Sequence, residues 1–238
     1  MIEQILPPGV AYGEAFADPP GAELFPEEAA IVARAVEKRR REFTTGRDCA
    51  RTALRGLGFG PVPILAGERG APQWPPGVVG TITHCRGYRA ALAARQAEFL
   101  TVGLDAEPND DLPGGVLDAV SRPAERERIG VLRETAPGVC WDRLLFCAKE
   151  AVYKAWFPLT RRWLGFKEAD ITFDAGGGTF DARLGTFDAR LVTLDARLVT
   201  PATAGERPLT GFSGRWLARD GLIVVTIAVP RAPGSDAG

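Results

Sequence analysis

The stretch FCAKEAVYKAW, residues 146–156, concentrates side chains that can act on phosphates. It places Lys149, Glu150 and Lys154 among aromatic residues, although only four of the chain's 29 lysines and arginines are lysines. An ammonium is a compact point charge that enters pockets where the planar guanidinium fork does not fit. The stretch therefore raises the hypothesis of an anion site, with an ordinary surface ion pair between Glu150 and Lys154 as the alternative.

A helical projection of this stretch favours the site. At about 100° per residue, one arc of roughly 140° collects the charged and the aromatic side chains: Phe146, Lys149, Glu150, Tyr153, Lys154 and Phe157. The opposite side carries Leu144 and three alanines, which suit packing on a core. A solvated helix face does not normally carry three aromatic rings, whereas the wall of a ligand crevice does. We predict a helix over 140–157 with one face lining a crevice.

A pair of carboxylates precedes this helix in the chain. Asp105 and Glu107 are two residues apart in TVGLDAE, a predicted strand, so their side chains leave the same face. Two adjacent carboxylates repel each other unless a cation lies between them, and oxygen ligands of this kind suit Mg²⁺. The alternative is an exposed acidic pair beside a loop. Together with Lys149 and Lys154, the pair predicts a metal-assisted site for a phosphate such as a pyrophosphate.

The composition excludes several other classes of protein. The 238 residues fit one large domain or two small ones, and a net charge of −1 provides no global basic field for nucleic acid. The sequence has neither an apolar run long enough for a membrane helix nor a signal peptide, so we expect a cytoplasmic protein. The four cysteines form no CxxC pair and are expected to be reduced. A histidine-rich zinc site is excluded because the sequence has one histidine. The sequence contains no GxSxG motif, which excludes a serine hydrolase, and no GxGxxG or P-loop, which excludes the common nucleotide-binding motifs.

The elements that must position these residues are of mixed type. Helices are predicted over residues 26–43 and from about 45 to 57, and VVGTITHC at 78–85 is typical of a strand. YRAALAAR at 88–95 fits a helix or a strand. Strands are expected from Ile171 onward, ending with GLIVVTIAV. The window from Arg34 to Arg55 has eight basic residues against three acidic ones, with Arg47, Arg51 and Arg55 in one helical stripe.

An internal repeat begins at Thr179 as TFDARLG, TFDARLV and TLDARLV. Its seven-residue period is compatible with a heptad seam, and the apolar residues also alternate within each unit as in a strand. The odd period flips the apolar face between units, which excludes one continuous strand. We prefer a strand–turn–strand extension or a mobile loop with no catalytic role.

Four segments together resemble the Sfp-type 4′-phosphopantetheinyl transferases: GERGAPQWP from residue 67, THC at 83–85, VGLDAE at 102–107 and FCAKEAVYKAW. The resemblance implies an α+β fold of two similar halves related by a pseudo-twofold, with the active site between them. The expected halves are residues 1–103 and 104–229, with the repeat as an insertion at 179–199 and a flexible tail at 230–238. Small carrier-protein synthases of the wider superfamily form trimers, but this chain is long enough to hold both halves, so a monomer is expected.

The same resemblance implies the reaction. Phosphopantetheine would move from coenzyme A to a serine of an acyl or peptidyl carrier protein, releasing adenosine 3′,5′-bisphosphate. Fatty acid, polyketide and nonribosomal peptide carriers all stay open, the last two belonging to secondary metabolism. Two rival functions remain: a Mg²⁺-dependent pyrophosphatase of coenzyme A or nucleotides, and a non-catalytic module that binds coenzyme A.

The resemblance also assigns roles to residues. Asp105 and Glu107 would bind Mg²⁺ (or Mn²⁺), and Glu150 would be the third ligand, the base that takes the serine proton, or both in turn. Lys149 and Lys154 would contact the phosphates, Lys154 also meeting the charge on the leaving phosphate. The remaining contacts to coenzyme A are expected from Arg69, Thr83 and His84 at the 3′-phosphate, Arg39 and Arg47 at the nucleotide, and Tyr153 and Trp163 along pantetheine.

Three of these assignments carry qualifications. The family often has lysine where Arg69 stands, a change that preserves the charge. The alternative for Tyr153 and Trp163 is that they are ordinary core aromatics. Arg51 and Arg55 receive no contact with coenzyme A and are expected on a solvated face, where they would attract an acidic carrier protein.

Overall fold

Strands alternate with helices along the chain, and two of the helices are long. The computed structural model describes residues 1–185, 203–204 and 207–231. The helices, α1 to α5 in chain order, span Pro26–Ile31, Glu37–Gly56, Val116–Val120, Pro123–Thr135 and Trp141–Thr160. The strands, β1 to β10, span Val10–Ala15, Val78–Cys85, Tyr88–Arg95, Phe99–Pro108, Ala169–Asp174, Thr179–Leu184, Thr203–Ala204, Arg207–Pro208, Gly211–Arg219 and Leu222–Pro230. Short 3-10 turns occur at Ile2–Ile5, Glu68–Gly70 and Phe166–Glu168.

The strands form two main antiparallel sheets and one short pair. The first sheet has the order β1–β3–β2 and the second the order β4–β10–β9–β6–β5, while β7 pairs with β8. Helix α2 packs on the first sheet and α5 on the second. This arrangement confirms the predicted α+β class. No helix in the described ranges is long and apolar enough to cross a membrane.

Strand β3 is the segment YRAALAAR, whose sequence did not distinguish helix from strand. Its side chains alternate between two cores: Ala91 and Ala93 face α2, whereas Ala90, Leu92 and Ala94 belong to a core shared by the two sheets. Both faces are therefore buried, and small side chains suit a strand packed on each side. The alanines that favoured a helix are explained by this double burial.

Strand β4 approaches α5 closely at Gly103. A Cβ atom at this position would lie 2.3 Å from the carbonyl oxygen of Ala151, which no real side chain tolerates. One turn further along α5, the hydroxyl of Thr101 donates to the carbonyl of Ala155 at 2.9 Å. Asp105 follows Gly103 on the same strand face. The glycine thus lets β4 and α5 come together where the strand's carboxylate meets the helix's charged residues.

The sheets meet at their edge strands, because β2 contacts β4. Their inner faces enclose the shared core, which includes Leu104 of β4, Val224 of β10 and Ile2 of the first 3-10 turn. The predicted boundary between residues 103 and 104 falls inside β4, which pairs with β10 from Phe99 to Pro108. The division into halves stays a prediction, and the strand pairing assigns all of β4 to the second sheet.

The predicted helix over 26–43 is wrong in one respect. It is interrupted after Ile31, and Val36 has an extended backbone (φ −65°, ψ 154°) immediately before α2. Helix α2 then continues through Thr44 and Thr45, where a break was predicted. Their hydroxyls have partners within and outside the helix: Thr44 donates to the Arg40 carbonyl at 2.8 Å, and Thr45 donates to Asp18, which precedes α1, at 2.7 Å.

The first repeat unit contributes β6, which pairs with both β5 and β9. The rest of the predicted insertion, residues 186–199, lies outside the described residues, and so do residues 232–238 of the predicted tail. The expected strands from Ile171 onward are confirmed for β5 and for β10, which corresponds to GLIVVTIAV.

Arg51 is not on a solvated face, contrary to the prediction. Its Nη1 donates to both carboxylate oxygens of Glu28, at 2.9 and 3.1 Å, and its Nη2 donates to the Glu23 carbonyl at 2.6 Å. Glu28 is completely buried. A charge of this kind is tolerated inside a protein only when it is paired and hydrogen-bonded, as here. Arg55, one turn later, is exposed as predicted.

Candidate active site

Lys154 lies where α5 meets the edge strands β2 and β4. Its Nζ is 2.7 Å from Asp105 Oδ1 and 3.3 Å from Thr83 Oγ1. The Thr83 hydroxyl donates to the same Asp105 oxygen at 2.9 Å. Burial acts to lower the pKa of Lys154, but the charge and hydrogen bond of Asp105 outweigh it and the pKa is raised, so the ammonium is kept. Three predicted site residues from three distant motifs are thus brought into contact.

The three predicted metal-ligating carboxylates influence one another. Burial and then the charge of Asp105 raise the pKa of both Glu107 and Glu150. Asp105 Oδ2 is buried and has no hydrogen-bond partner among the described residues, and Glu107 Oε2 accepts from Arg143 Nη1 at 3.2 Å. In the described part of the chain, no three His, Cys, Asp or Glu side chains are already arranged around a metal position. Buried, mutually repelling oxygen donors with a free acceptor nevertheless fit a hard cation such as Mg²⁺.

Two cavities adjoin at Lys154. The first, of about 640 Å³, lies between the loop at 67–74, β2 and α5, and we call it the aromatic cavity. The second, of about 530 Å³, lies between α1, α2 and β2, and we call it the basic cavity. Lys154 and Ile82 line both. A ligand with two dissimilar ends could therefore place its middle at Lys154.

The basic cavity contains three cationic or potentially cationic residues predicted to bind the nucleotide. Arg39 Nη1 lies 2.6 Å from His84 Nε2. Arg47 is almost fully buried, donates from Nε to the Ile64 carbonyl at 2.6 Å, and lies over the Phe43 ring at 4.1 Å. Burial lowers the pKa of Arg47 to about 10, so it remains charged at neutral pH. Burial and then the charge of Arg39 lower the pKa of His84.

The aromatic cavity combines rings with a few polar groups. Tyr153 and Phe157 of α5 line it, together with Glu150 and Arg69. The hydroxyl of Tyr153 is buried without a hydrogen-bond partner in the described ranges. Trp163 packs against Tyr153, with ring centroids 5.2 Å apart, and Arg69 lies over the Trp163 ring at 5.5 Å. Because 59% of Trp163 is exposed, it is not an ordinary core aromatic.

Two known protein families match the segments of the chain that contain these motifs. Residues 27–94 match the 4′-phosphopantetheinyl transferase N-terminal domain, and residues 101–200 match the 4′-phosphopantetheinyl transferase superfamily. The chain is 49% identical over 233 residues to the 4′-phosphopantetheinyl transferase PptT of Mycobacterium tuberculosis, covering 96% of this chain and 98% of the relative. The chain belongs to the 4′-phosphopantetheinyl transferase family. The predicted resemblance and the predicted enzyme class are confirmed.

Two further relatives of this transferase are similar over nearly their whole length. The transferase Npt of Nocardia iowensis is 52% identical over 228 residues, 96% of this chain and 99% of the relative. The transferase Svp of Streptomyces mobaraensis is 51% identical over 238 residues, 99% of this chain and 92% of the relative.

The structure does not bring Lys149 of the transferase to the phosphate site. Its Nζ donates to Glu125 Oε2 at 2.8 Å and to the carbonyls of Phe166 and Ala169 at 2.7 and 2.8 Å. These three acceptors use all three protons of the ammonium, and the side chain is buried. The predicted phosphate contact is therefore corrected: Lys149 fastens α5 to α4 and to the turn before β5.

Sequence reasoning missed two residues at the site. Arg143 of α5 binds Glu107 and also donates to the carbonyls of Asp110 and Asp111, at 2.9 and 2.8 Å. It precedes Glu150 by seven residues, a spacing that places both on one helix face and offered a signal. Glu42 lines the basic cavity, three residues after Arg39 on α2. In the sequence, Glu42 is one of three acidic residues in the basic window from Arg34 to Arg55, and only the fold shows that it lines the cavity.

Proposed function

We propose that this transferase moves 4′-phosphopantetheine from coenzyme A to a serine hydroxyl of a carrier protein and releases adenosine 3′,5′-bisphosphate. The observation that carries the proposal is the junction of the two cavities at Lys154, beside Asp105. Coenzyme A has a charged nucleotide, a central pyrophosphate and a less polar pantetheine arm. These three parts correspond, in the same order, to the basic cavity, Lys154 and the aromatic cavity.

The nucleotide end occupies the basic cavity in this proposal. Arg39, Arg47 and His84 supply donors for its phosphates, with Thr83 at the cavity floor, and charge-assisted hydrogen bonds to phosphate are strong. Arg69 lines the neighbouring cavity close to the junction. The pantetheine arm lies along Tyr153 and Trp163, where the unpartnered Tyr153 hydroxyl is available to an amide of the arm.

The transfer exchanges one phosphorus–oxygen bond for another. The serine oxygen attacks the phosphorus next to pantetheine, the bond to the bridging oxygen breaks, and adenosine 3′,5′-bisphosphate departs with that oxygen. Lys154 stabilises the charge that develops during this exchange, as a fixed cation in a partly enclosed site does well. Glu150 lines the cavity beside Lys154 and takes the serine proton, its raised pKa making it a better base than an ordinary carboxylate.

Asp105, Glu107 and Glu150 are the residues that would hold Mg²⁺, or Mn²⁺ in its place. When bound, such a cation would neutralise charge on the pyrophosphate and help to orient it. The buried, unpartnered oxygen of Asp105 is the atom most available to it.

The partners we propose are acyl and peptidyl carrier domains of fatty acid, polyketide or nonribosomal peptide synthases. A monomer acting in the cytoplasm suits a chain that carries both sheets and four free cysteines. The deciding experiment incubates the protein with an apo-carrier, coenzyme A and Mg²⁺ and measures intact mass. One added phosphopantetheine mass supports the proposal. Coenzyme A hydrolysed with every carrier unmodified favours the pyrophosphatase, and coenzyme A bound but intact favours the non-catalytic module.

A further inference from the structure

Glu42 is a carboxylate in a cavity that otherwise attracts anions. It is largely buried on α2 and lines the basic cavity beside Arg39 and His84. Apart from His84, the one ion-pair partner of Glu42 in the described ranges is Lys38, whose Nζ lies 3.9 Å from the carboxylate. Lys38 is exposed, so this ion pair contributes little. A negative charge here opposes phosphate binding through like-charge repulsion. A carboxylate at this position therefore needs a function within the cavity that offsets the repulsion.

The contacts of His84 define which ring nitrogen carries the proton. Arg39 Nη1 lies 2.6 Å from Nε2, and a guanidinium can only donate. Nε2 must therefore offer its lone pair, which leaves the proton of the neutral ring on Nδ1. Nδ1 is the nitrogen that faces Glu42, with Oε2 at 3.7 Å, an ion-pair distance rather than a hydrogen bond.

We propose that Glu42 is a positioning residue: its carboxylate faces the Nδ1–H of His84 and supplies the counter-charge that lets Nε2 donate a proton in a hydrogen bond to the bound phosphate. This inference rests on the proposed function, in which His84 meets a phosphate of coenzyme A. When the phosphate arrives, it takes over the hydrogen bond of Arg39, and Nε2 takes up one proton from solvent and donates in a hydrogen bond to a phosphate oxygen. Glu42 then faces the second N–H of an imidazolium, as carboxylates face histidines that act on charged ligands.

The charges around His84 explain why a carboxylate is required. Arg39 of α2, Arg89 of β3 and Lys154 of α5 all disfavour a second proton on the ring, and Glu42 is the group that opposes them. Burial and these cations lower the pKa of His84 in the ligand-free protein. Without Glu42, the ring would meet three cations and no counter-charge. Protonation would then be lost even with phosphate bound.

The first test needs no ligand, because His84 is the chain's only histidine. Imidazole ¹⁵N spectra of histidine-labelled protein give its tautomer and pKa without assignment. We expect the Nδ1–H form in the parent and in both Glu42→Leu and Glu42→Gln, since Arg39 still donates to Nε2, and a lower pKa of His84 in both variants because the counter-charge is gone. The control is Glu37→Gln, an exposed acid on the same helix, which should change neither. An unchanged pKa of His84 in both Glu42 variants would overturn the proposal.

The second test asks whether Glu42 acts through His84. Glu42→Leu should weaken coenzyme A binding roughly tenfold, the size expected for one charge-assisted hydrogen bond. In a His84→Ala background the same substitution should add less than about twofold, because the coupled partner is gone. An equal loss in both backgrounds would contradict a positioning role. If coenzyme A does not bind the parent at all, the proposed function fails, whereas the spectra still decide how His84 is held.

Discussion

Lys154 is the only lysine among the described residues that line the two cavities. We expect Lys154→Ala to lower kcat by about 10²–10³-fold, as the loss of a group aimed at developing charge does, with a smaller effect on coenzyme A affinity. Lys154→Arg should not restore the rate, since the ammonium lies between Asp105 and Thr83 where a broad fork does not fit. Steady-state kinetics and direct binding separate the two effects. Lys167→Ala, an exposed lysine, is the control, and an unchanged kcat in Lys154→Ala would refute the role.

Asp105 links Lys154, Thr83 and the predicted metal site through its two oxygens. Asp105→Asn keeps the side-chain volume but removes the charge, so we expect transfer to fall below detection while circular dichroism stays that of the parent. Binding of Mn²⁺, followed by its electron paramagnetic resonance signal, should weaken in parallel. Asp110→Asn, which alters an exposed carboxylate paired with Arg86, should leave both unchanged. Full transfer by the parent in excess chelator would contradict a metal requirement.

The sequence was sufficient to name Asp105, Thr83 and Lys154 as candidate site residues, because their motifs occur in a recognisable order, but their direct contact became visible only in the fold. It was insufficient for Lys149, which lies on the charged arc of the helical projection. A projection gives a side chain's direction but not the neighbour it meets, and Glu125 of α4 is 24 residues away. Glu42 was missed for the same reason, since its meaning depends on a histidine in a distant strand.

At the scale of elements, Lys149 and Glu125 fasten α5 to α4. Glu125 also accepts from the backbone N–H groups of Ile171 and Arg122, at 2.8 and 2.7 Å. Removing one partner of such a buried pair leaves an uncompensated charge, so Lys149→Met should lower the free energy of unfolding by about 3–5 kcal/mol. Urea denaturation measures this loss.

Activity distinguishes this structural role from the phosphate contact first predicted. At a temperature where the Lys149→Met variant is still folded, kcat should stay within a few-fold of the parent. The double variant Glu125→Gln/Lys149→Met should recover part of the stability, since no unpaired charge remains. A large loss of kcat with unchanged stability would return Lys149 to the phosphate site.

The repeat offers an element-scale test with an internal comparison. Its first unit supplies β6, which is hydrogen-bonded on both sides and buries Phe180, so Phe180→Asp should abolish folding. Deleting 186–192, a near-identical copy that lies outside the motif segments, should leave transfer within a few-fold of the parent. Thermal unfolding and the transfer assay report the two outcomes. A large loss of transfer in a folded 186–192 deletion would show that the repeat contributes to the site or to the carrier.

Element boundaries were predictable only where local signals agreed. β2, β10 and α5 have strong periodic patterns and were predicted correctly, whereas the break at 32–36 and the continuation of α2 through two threonines depend on neighbours. Thr45, for example, is held by Asp18, which precedes α1. Tertiary contacts of this kind override local preference and cannot be deduced from a single sequence.

On the scale of the whole molecule, the transferase has a near-neutral charge but an uneven surface. Arg51 and Arg55 are predicted to attract the carrier, yet Arg51 is buried against Glu28, and reversing its charge would place two carboxylates together in a core. Two exposed basic residues outside the proposed contacts to coenzyme A adjoin residues that line the basic cavity: Arg34, next to Ala35, and Lys38, next to Arg39 in the first turn of α2. Arg55 lies at its other end, roughly 25 Å from Lys38 at 1.5 Å per residue.

Arg55 is therefore the matched control, because it is an exposed arginine at the end of α2 opposite to Lys38. Carrier proteins of this family are expected to be acidic around the modified serine, so Arg34→Glu/Lys38→Glu should raise the KM for the carrier several-fold and weaken its dependence on salt. The KM for coenzyme A should change less than the KM for the carrier, because neither residue belongs to its proposed contacts. Arg55→Glu should affect the carrier less, since screening at physiological salt acts over about 8 Å. If the paired reversal leaves the KM for the carrier unchanged while transfer continues, the carrier docks on another face and the transferase assignment is unaffected.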